Sequence, residues 1–466
     1  MNRDALQKLG KEDLIALVLA QADVVGQQTK LVETLSGQVT LLKKQVADLE
    51  AKLGKPPKTP DNSSIPPSQG HKPSRQERRA AARKGRPGVT RALAENPDTI
   101  VEARAEACPH CDHGLTDEDQ PEFHAYDHID LPPIRPVVTR IHRHRGTCPC
   151  CARTFSAPAP EDMAPGSPFG PGIVALVLHL HITQAIGFER LVKLMDEVFG
   201  ITLSEGAIAN MLARAEAPMI VAAERIAEEV RSARVVASDE TSARVRGKTW
   251  WQWVMHCSTA IYHVITDSRG AKVVTDFLQG STPEVWIADR YGAQNGHGLQ
   301  RQLCLAHLLR DAQYAIDEGD TVFAPAFKTL LLRAVSIGRR RETLKDATLA
   351  QYRDDLDRRL DKLLEPPPTT AAGRKLAKGV KKCRNDLFLF VVRRDVPYTN
   401  NGSERALRPS VIFRKVTGCF RSHWGARLYA AAVSVIATGR LRGLSALQAI
   451  SNVVCPNAAH VVPLTG

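Results

Sequence analysis

Residues 235–241 read VVASDET and decide the fold of the chain, because an apolar β-branched run ends there in two adjacent acids. Such a run, bounded by polar residues, predicts a short buried strand. A second run, VWIAD at residues 285–289, also ends on an acid. Carboxylates at the ends of neighbouring strands can converge on one edge of a sheet, so Asp239 and Asp289 are candidate site residues.

A third acid, Glu404, opens a predicted helix in the segment TNNGSER at residues 399–405. A carboxylate from a helix that faces the sheet can complete an oxygen-rich pocket, which suits two Mg2+ ions in phosphoryl transfer. Glu240 follows Asp239 directly and points to the other face of an extended strand. Because an acid at a strand end is more often a turn former or a helix cap, the spacing leaves both interpretations open.

The composition indicates a basic protein of several domains. The chain has 466 residues, of which 43% are apolar, so global disorder is excluded. The 63 Lys and Arg residues against 50 Asp and Glu give a net charge of +13, which suits a nucleic-acid partner, although a merely basic enzyme is the alternative. The start is a poor signal peptide and the longest apolar run, residues 173–186, is too short to span a bilayer, so we expect a soluble, intracellular protein with no membrane partner.

Residues 1–53 are predicted to form a coiled-coil helix, because residues 14–53 carry a heptad of apolar side chains. Val18, Val25, Val32, Val39, Val46 and Leu53 occupy one register, and Leu14, Gln21, Gln28, Leu35, Leu42 and Leu49 occupy the other. A β-branched residue at a with Leu at d favours a parallel two-stranded coiled coil, so we expect a homodimer or a higher oligomer. An amphipathic helix packed on its own globule is the alternative.

Residues 54–99 are predicted to be a linker that is rich in Pro and Ser at its start and basic towards its end. The basic residues that we expect to contact DNA phosphates are Arg78, Arg79, Arg83, Lys84 and Arg86. A solvated, disordered charge run is the alternative, and the two interpretations overlap because a disordered basic arm can fold on DNA.

Two C-x2-C pairs dominate residues 100–156 and predict a zinc-ribbon-like module. Cys108 and Cys111 form the first pair, and Cys148 and Cys151 form the second, after an interval of roughly 36 residues. Four thiolates make a closed, tetrahedral site for one structural Zn2+ ion, which performs no chemistry. The metal would stabilise a module that is too small to hold itself together.

The pattern of residues 165–230 is helical and includes a candidate helix-turn-helix. A helix over residues 188–199 is followed by Gly200, a predicted C-cap, and by Ser204, the predicted N-cap of a second helix that runs through Arg214. This motif reads DNA in some proteins and is an ordinary packing unit in others, so both roles stay open.

Four blocks of residues, together with the order of the segments above, are shared with a known family. The blocks are DET at 239–241 with GK at 247–248 and WW at 250–251, DRYGAQN at 289–295, CLAH at 304–307, and NN at 400–401 with Glu404, Arg408, Arg414, Lys415 and Gly418. On these residues the chain resembles bacterial DDE transposases of the insertion-sequence-sixty-six type, over nearly its whole length.

The resemblance implies a multidomain protein with an α/β, RNase H-like catalytic core at residues 231–435, a helical insertion at about 305–395, and a C-terminal helical tail at 436–466. It implies that Asp239, Asp289 and Glu404 are the catalytic residues and hold two Mg2+ or Mn2+ ions per active site. Arg408, Arg414 and Lys415 would contact DNA beside that site, with surface or ion-pair positions as the alternative. Cys304 and His307 would be structural or DNA-contacting, because two ligands at this spacing need two more to bind a metal.

The activity that the resemblance implies is metal-dependent cleavage at the ends of a mobile element, followed by transfer of the 3′-hydroxyl strand into target DNA. The implied partners are double-stranded DNA, a second copy of the chain and helper proteins, in the cytoplasm and associated with the nucleoid. The alternative function is that of a non-catalytic DNA-binding protein, either a regulator or an inactive transposase relic, which uses the zinc module and the helix-turn-helix.

Overall fold

The computed structural model of the chain describes residues 10–53, 58–63, 91–132, 134–160, 163 and 165–455. The α-helices of these residues are α1 Lys11–Leu53, α2 Pro171–Leu178, α3 Phe188–Phe199, α4 Glu205–Arg231, α5 Lys272–Leu278, α6 Leu305–Asp317, α7 Phe323–Arg340, α8 Asp346–Leu363, α9 Ala371–Lys382, α10 Leu389–Val392, α11 Asn401–Thr417, α12 His423–Leu441 and α13 Ala446–Val454. The strands are β1 Arg145–Thr147, β2 Thr154–Ser156, β3 Val235–Val245, β4 Lys248–His256, β5 Ile261–Thr266, β6 Val285–Ala288 and β7 Gln300–Leu303.

The chain divides into two compact units, one made of Met1–Gly70 and Cys304–Tyr398, the other of His71–Leu303 and Thr399–Gly466. The segment at 54–57 and the basic residues predicted to contact DNA at 78–86 lie outside the described residues. In the described parts of the chain, no helix is both long enough and apolar enough to cross a membrane.

The second unit is built on a five-stranded mixed sheet in the order β5-β4-β3-β6-β7. Strands β3, β4 and β5 pair antiparallel through short turns, whereas β6 and β7 add to the other edge of β3 in parallel. The predicted strand at residues 285–288 is confirmed, and the run that begins at residue 235 continues further than predicted, to Val245. The α/β class with a mixed sheet and many helices is therefore shown.

Helices cover both faces of this sheet. Helix α11 packs on β3 and β4, and α12 packs on β5 and on α4. Helix α5 contacts the opposite face, where the ring of Phe277 stacks on that of Tyr262 with centroids 5.5 Å apart. Side chains from the helices before the sheet, from the sheet itself and from the C-terminal helices share one apolar core.

The local signals of the predicted helix-turn-helix are confirmed. Gly200 takes a left-handed conformation with φ of 63° and ends α3, and the Ser204 hydroxyl accepts a hydrogen bond from the backbone N–H of Ala207 at the start of α4. The second helix does not end at Arg214 but continues to Arg231, because its apolar side chains stay buried along its whole length. Much of α4 therefore serves the core of the unit.

The first unit contains α1 and the helices from α6 to α10. The backbone N–H of Leu305 donates to the carbonyl of Tyr398 at 2.9 Å, so the helical segment leaves and returns at one point of the fold. The Arg341 guanidinium donates to the carbonyls of Phe390 and Val396, 2.6 and 2.7 Å away, and so ties α7 to the chain that follows α10. The predicted helical pattern of residues 305–395 is thus a packed helical layer.

Helix α1 is continuous over 43 residues, as the heptad predicts. The valines at the a positions from Val18 to Val46 are between 49% and 64% exposed. Isolated apolar side chains at a surface are ordinary, whereas these valines repeat at heptad spacing along one helix.

Candidate active site

Two of the three predicted acids lie side by side at the centre of the sheet. Ala237 of β3 pairs with Ile287 of β6 in parallel register, so Asp239 and Asp289 each lie two residues beyond the same pair. Adjacent strands of a sheet are about 4.8 Å apart, and residues two apart point to the same face. The register therefore brings the backbones of the two aspartates to neighbouring positions just beyond the paired residues of β3 and β6.

Glu404 lies on the helix that covers this face. The Asn400 side chain, at the N-cap of α11, donates to the carbonyl of Ser238 at 2.7 Å. Further along α11, the Ser410 hydroxyl accepts a hydrogen bond from Gln252 of β4 at 2.9 Å. Glu404 follows the buried Ser403 in the first turn of α11, and its N–H donates to the carbonyl of Asn400 at 3.3 Å, so its backbone belongs to the turn that Asn400 anchors to β3.

The close contact of α11 with the sheet depends on a glycine. A Cβ at Gly402 would lie 2.7 Å from Cε1 of His256, a distance that real Cβ atoms do not adopt. His256 is itself nearly buried, and its burial lowers its pKa. The Asn-Gly sequence before Glu404 therefore fixes how close the helix start approaches the strand.

The two aspartates are held by neighbouring backbone groups. The Asp239 carboxylate accepts a hydrogen bond from the N–H of Glu240 at 2.9 Å, and the Asp289 carboxylate accepts one from the N–H of Tyr291 at 2.8 Å. Among the described residues, no three His, Cys, Asp or Glu side chains are close enough together to hold a metal ion. The three acids thus lie on neighbouring elements but are not gathered as ligands, and their oxygens are of the type that Mg2+ prefers.

An ion pair between the buried Glu240 carboxylate and the exposed Arg269 lies on the face of β3 opposite Asp239 and holds the loop that follows Asp289. The Glu240 side chain is only 2% exposed and pairs with Arg269 at 2.8 Å, while Gln294 donates to its other oxygen at 2.9 Å. The Arg269 guanidinium lies 4.4 Å from the ring of Trp251 and 4.0 Å from that of Tyr291. Burial raises the pKa of the Glu240 carboxyl, and it outweighs the two hydrogen bonds that lower it.

Strand geometry predicts Glu240 on the far face of β3 but does not predict this network. Gln294 and Tyr291 both belong to the loop after Asp289, so Glu240 and Arg269 fix that loop against β3. Nothing in local sequence pairs Glu240 with Arg269, which lies 29 residues away. An acid inside an apolar strand is the one signal that could have prompted a search for its partner.

The residues predicted to contact DNA beside the site differ in their surroundings. Arg408 and Lys415 are exposed on α11. Arg414 donates to the hydroxyl of Thr241 at 3.0 Å and to the carbonyl of Ser242, so it also anchors α11 to β3.

The cysteine and histidine at residues 304 and 307 belong to the first unit. Cys304 is 1% exposed and precedes α6, a burial that favours the structural role over a direct contact with DNA.

The two cysteine pairs adopt the same backbone conformation. In the first, the N–H of Cys108 donates to His113 and its carbonyl accepts from Asp112; in the second, Cys148 makes the equivalent bonds to Arg153 and Ala152. Asp112 and Ala152 both have a φ of 56°, and the antiparallel pair β1–β2 flanks the second turn. Each turn is a knuckle that presents two sulfurs from one loop.

Backbone N–H groups aimed at the first sulfur of each knuckle favour the thiolate. The pKa of Cys108 is lowered by the N–H of His110 and that of Cys148 by the N–H of Cys151. A lowered thiol pKa suits a zinc ligand, which binds as thiolate. In the described residues the two knuckles are not gathered into one group of metal-binding side chains.

Residues 166–428 match a family model of transposases, and this match defines the class of the protein. That stretch is more than half of the chain, and the protein belongs to the IS66 family of transposases. A second model, the zinc-finger binding domain of transposase IS66, matches residues 105–152 and includes both knuckles. The search of curated proteins found no match.

Proposed function

We propose that this protein is a DNA transposase that cleaves DNA at the ends of a mobile element and joins the freed strand to target DNA. The observation that carries the proposal is the position of Asp239 and Asp289, side by side on parallel strands beneath the helix that carries Glu404. Three antiparallel strands followed by two parallel ones, in the observed order, support an RNase H-like core.

The acids supply oxygen ligands for two divalent cations, Mg2+ or Mn2+. When bound, such ions neutralise charge on the reacting phosphate and promote formation of the attacking hydroxide. Asp239, Asp289 and Glu404 would hold them, and Glu404 would also orient the attacking water. The contacts of Asn400 and Gly402 position Glu404, and the Glu240 network positions the loop of Asp289, so the site is fixed before DNA binds.

The chemistry balances without a covalent link to the protein. Hydrolysis of one phosphodiester at the element end adds water and releases a 3′-hydroxyl and a 5′-phosphate. That hydroxyl then attacks a phosphodiester of the target, so one bond forms as one breaks and the target's 3′-oxygen leaves. Because the bond count is conserved in the second step, it needs no external energy source.

The remaining parts of the chain bind and organise DNA. Cys108, Cys111, Cys148 and Cys151 would hold one structural Zn2+ ion, since four thiolates suit its tetrahedral preference. The basic segment at residues 78–86 and the exposed Arg408 and Lys415 would contact phosphates of element ends and target DNA. Helper proteins are further partners, and the site of action is the nucleoid in the cytoplasm.

The alternative, a DNA-binding protein without catalytic activity, is favoured by one observation, the absence of a group of metal-binding side chains among the described residues. A cleavage assay distinguishes the two functions. It uses purified protein and a linear duplex that carries the terminal repeats found on either side of the protein's coding sequence. We expect nicking and strand joining with Mg2+ or Mn2+, and binding without cleavage with Ca2+. Binding that is never followed by cleavage, in any of these metals, would establish the non-catalytic function instead.

We further propose that α1 pairs with α1 of a second copy, because its heptad valines are exposed. Val32→Asp places a charge at an a position of the coiled coil, so we expect the dissociation constant of the dimer to rise roughly 100-fold or more. Thr34→Asp adds the same charge two residues away, off the apolar stripe, and should leave the assembly intact. Light scattering measures both, and equal masses for the two variants and the unmodified protein would contradict the coiled coil.

A further inference from the structure

The second unit carries a positively charged cleft that the proposed site does not include. The cleft has a volume of about 490 Å³ and is lined by Arg246, Arg421, Ser422, His423, Trp424 and Arg427. Half of these side chains are guanidinium groups and none is acidic. The cleft is shallow and open to solvent, and a surface of one sign favours a polyanion.

The backbone that carries the arginines is fixed by the sheet. Arg246 and Gly247 form the tight turn between β3 and β4, with φ of 51° and 77°. The chain after α11 docks beside this turn, since the N–H of Arg246 donates to Phe420 at 2.9 Å and the N–H of Phe420 donates to Arg244 at 3.0 Å. Arg421 follows Phe420 directly, so Arg246 and Arg421 are held next to each other.

The charge of the cleft is only partly balanced. Arg427 pairs with Glu216 at 2.7 Å. Arg246 and Arg421 are exposed and, within the part of the chain that the structure describes, form no ion pair. Two exposed like charges repel each other only weakly in water, and an anion that binds between them is attracted by both. The two arginines are therefore available to contact phosphates.

The aromatic groups of the cleft suit the same ligand. Trp424 lines the cleft and is half-buried, and the ring of His423 contacts that of Trp250 with centroids 5.1 Å apart. Arginines beside aromatic rings suit the backbone of duplex DNA, where guanidinium groups contact phosphates and rings can pack on the sugars between them. Trp and Arg are also common in protein interfaces. DNA is favoured over an acidic protein because the chain belongs to a family of transposases and carries a net charge of +13.

The cleft lies at a defined distance from the proposed site. Arg246 follows Asp239 by seven positions along β3 and its turn. At about 3.3 Å per residue the separation is roughly 23 Å, which equals about 7 base pairs of duplex. We propose that the cleft binds the phosphate backbone of duplex DNA about 7 base pairs from the phosphodiester that reacts. The distance of about 7 base pairs rests on the proposed function, because it is counted from the proposed active site. Binding of DNA by the cleft does not depend on that function.

The test uses the full-length protein with Arg246→Asn and Arg421→Ala combined, since Asn tolerates a positive φ and both side chains are exposed. The probe is a labelled duplex carrying one terminal repeat, in Ca2+, followed by fluorescence anisotropy over a range of salt. We expect affinity to fall roughly tenfold or more and the slope of log affinity against log salt to decrease by about 2. Arg246→Lys combined with Arg421→Lys keeps both positive charges and should retain most of the affinity of the unmodified protein.

The matched control is Arg339→Ala with Arg340→Ala, which removes the same charge from exposed positions at the end of α7. It should leave affinity and salt slope nearly unchanged. Phosphate ethylation should interfere with binding about 7 base pairs from the cleaved position in the unmodified protein and not in the cleft variant. Unchanged affinity in the cleft variant, or equal losses in cleft and control variants, would overturn the proposal. If the unmodified protein binds DNA through the cleft but never cleaves it, the proposed function is wrong and the proposed DNA binding by the cleft is still supported.

Discussion

Asp239→Asn, Asp289→Asn and Glu404→Gln should each abolish strand cleavage and joining, with rates lowered at least roughly 1,000-fold. Each change keeps the size of the side chain and removes the negative charge that would hold a divalent cation. DNA binding in Ca2+ should change little, because phosphate contacts are made by basic residues elsewhere. A strand-transfer assay and a binding assay on the same preparations measure both effects.

The control for these variants is Asp276→Asn on α5, an exposed acid that pairs with Lys272 one turn earlier. Its activity should equal that of the unmodified protein. Glu240 would be a poor control, because its carboxylate is buried and ion-paired, so its loss would loosen the loop after Asp289. Full activity of Glu404→Gln would show that Glu404 on α11 takes no part in catalysis. The proposed reaction would then lack its third acid.

The second large effect concerns zinc. Purified protein should carry about one Zn2+ per chain, and Cys108→Ser combined with Cys148→Ser should reduce this to nearly none. One sulfur is lost from each knuckle, and metal binding in such modules is coupled to folding. Residues 105–152 should therefore become sensitive to proteolysis, while the sheet stays folded because it has its own apolar core. Metal analysis and limited proteolysis measure the two outcomes.

Cys150→Ser is the matched control, since Cys150 lies inside the second knuckle and is exposed. It should keep its zinc, because the C-x2-C spacing places the ligands on either side of it. Retention of the metal by the double variant, or its loss from Cys150→Ser, would show that the ligands are assigned wrongly.

Patterns that are local in sequence determined much of the secondary structure. The apolar runs at 235 and 285 became strands, Gly200 and Ser204 became helix caps, and the heptad became one continuous helix. The cysteine spacing located the two C-x2-C pairs, which adopt equivalent backbone turns in the structure. Such features depend on residues that are close together in the sequence. The period of the apolar residues, the φ preference of each residue and the capping side chains therefore specify them directly.

The three acids of the candidate site were found from strand ends, a helix start and a family resemblance, but their mutual placement depended on the tertiary structure. Asn400 reaches Ser238 across 162 residues, and the ends of the helical segment between them meet at Leu305 and Tyr398. The family resemblance implied a helical insertion at this place. The sequence of the insertion does not predict which strand α11 covers. The register of β3 with β6 likewise sets Asp239 beside Asp289.

The Glu240 network and the arginine cleft were decided by the tertiary structure alone. Arg269 and Gln294 reach Glu240 from two separate loops, and Arg421 joins Arg246 only because Phe420 pairs with the end of β3. Sequence determines which residues prefer a strand, a turn or a cap, because those preferences arise from each residue's own backbone and its neighbours. Which distant side chains meet is set by packing of the whole core, where burial makes each charge require a specific partner.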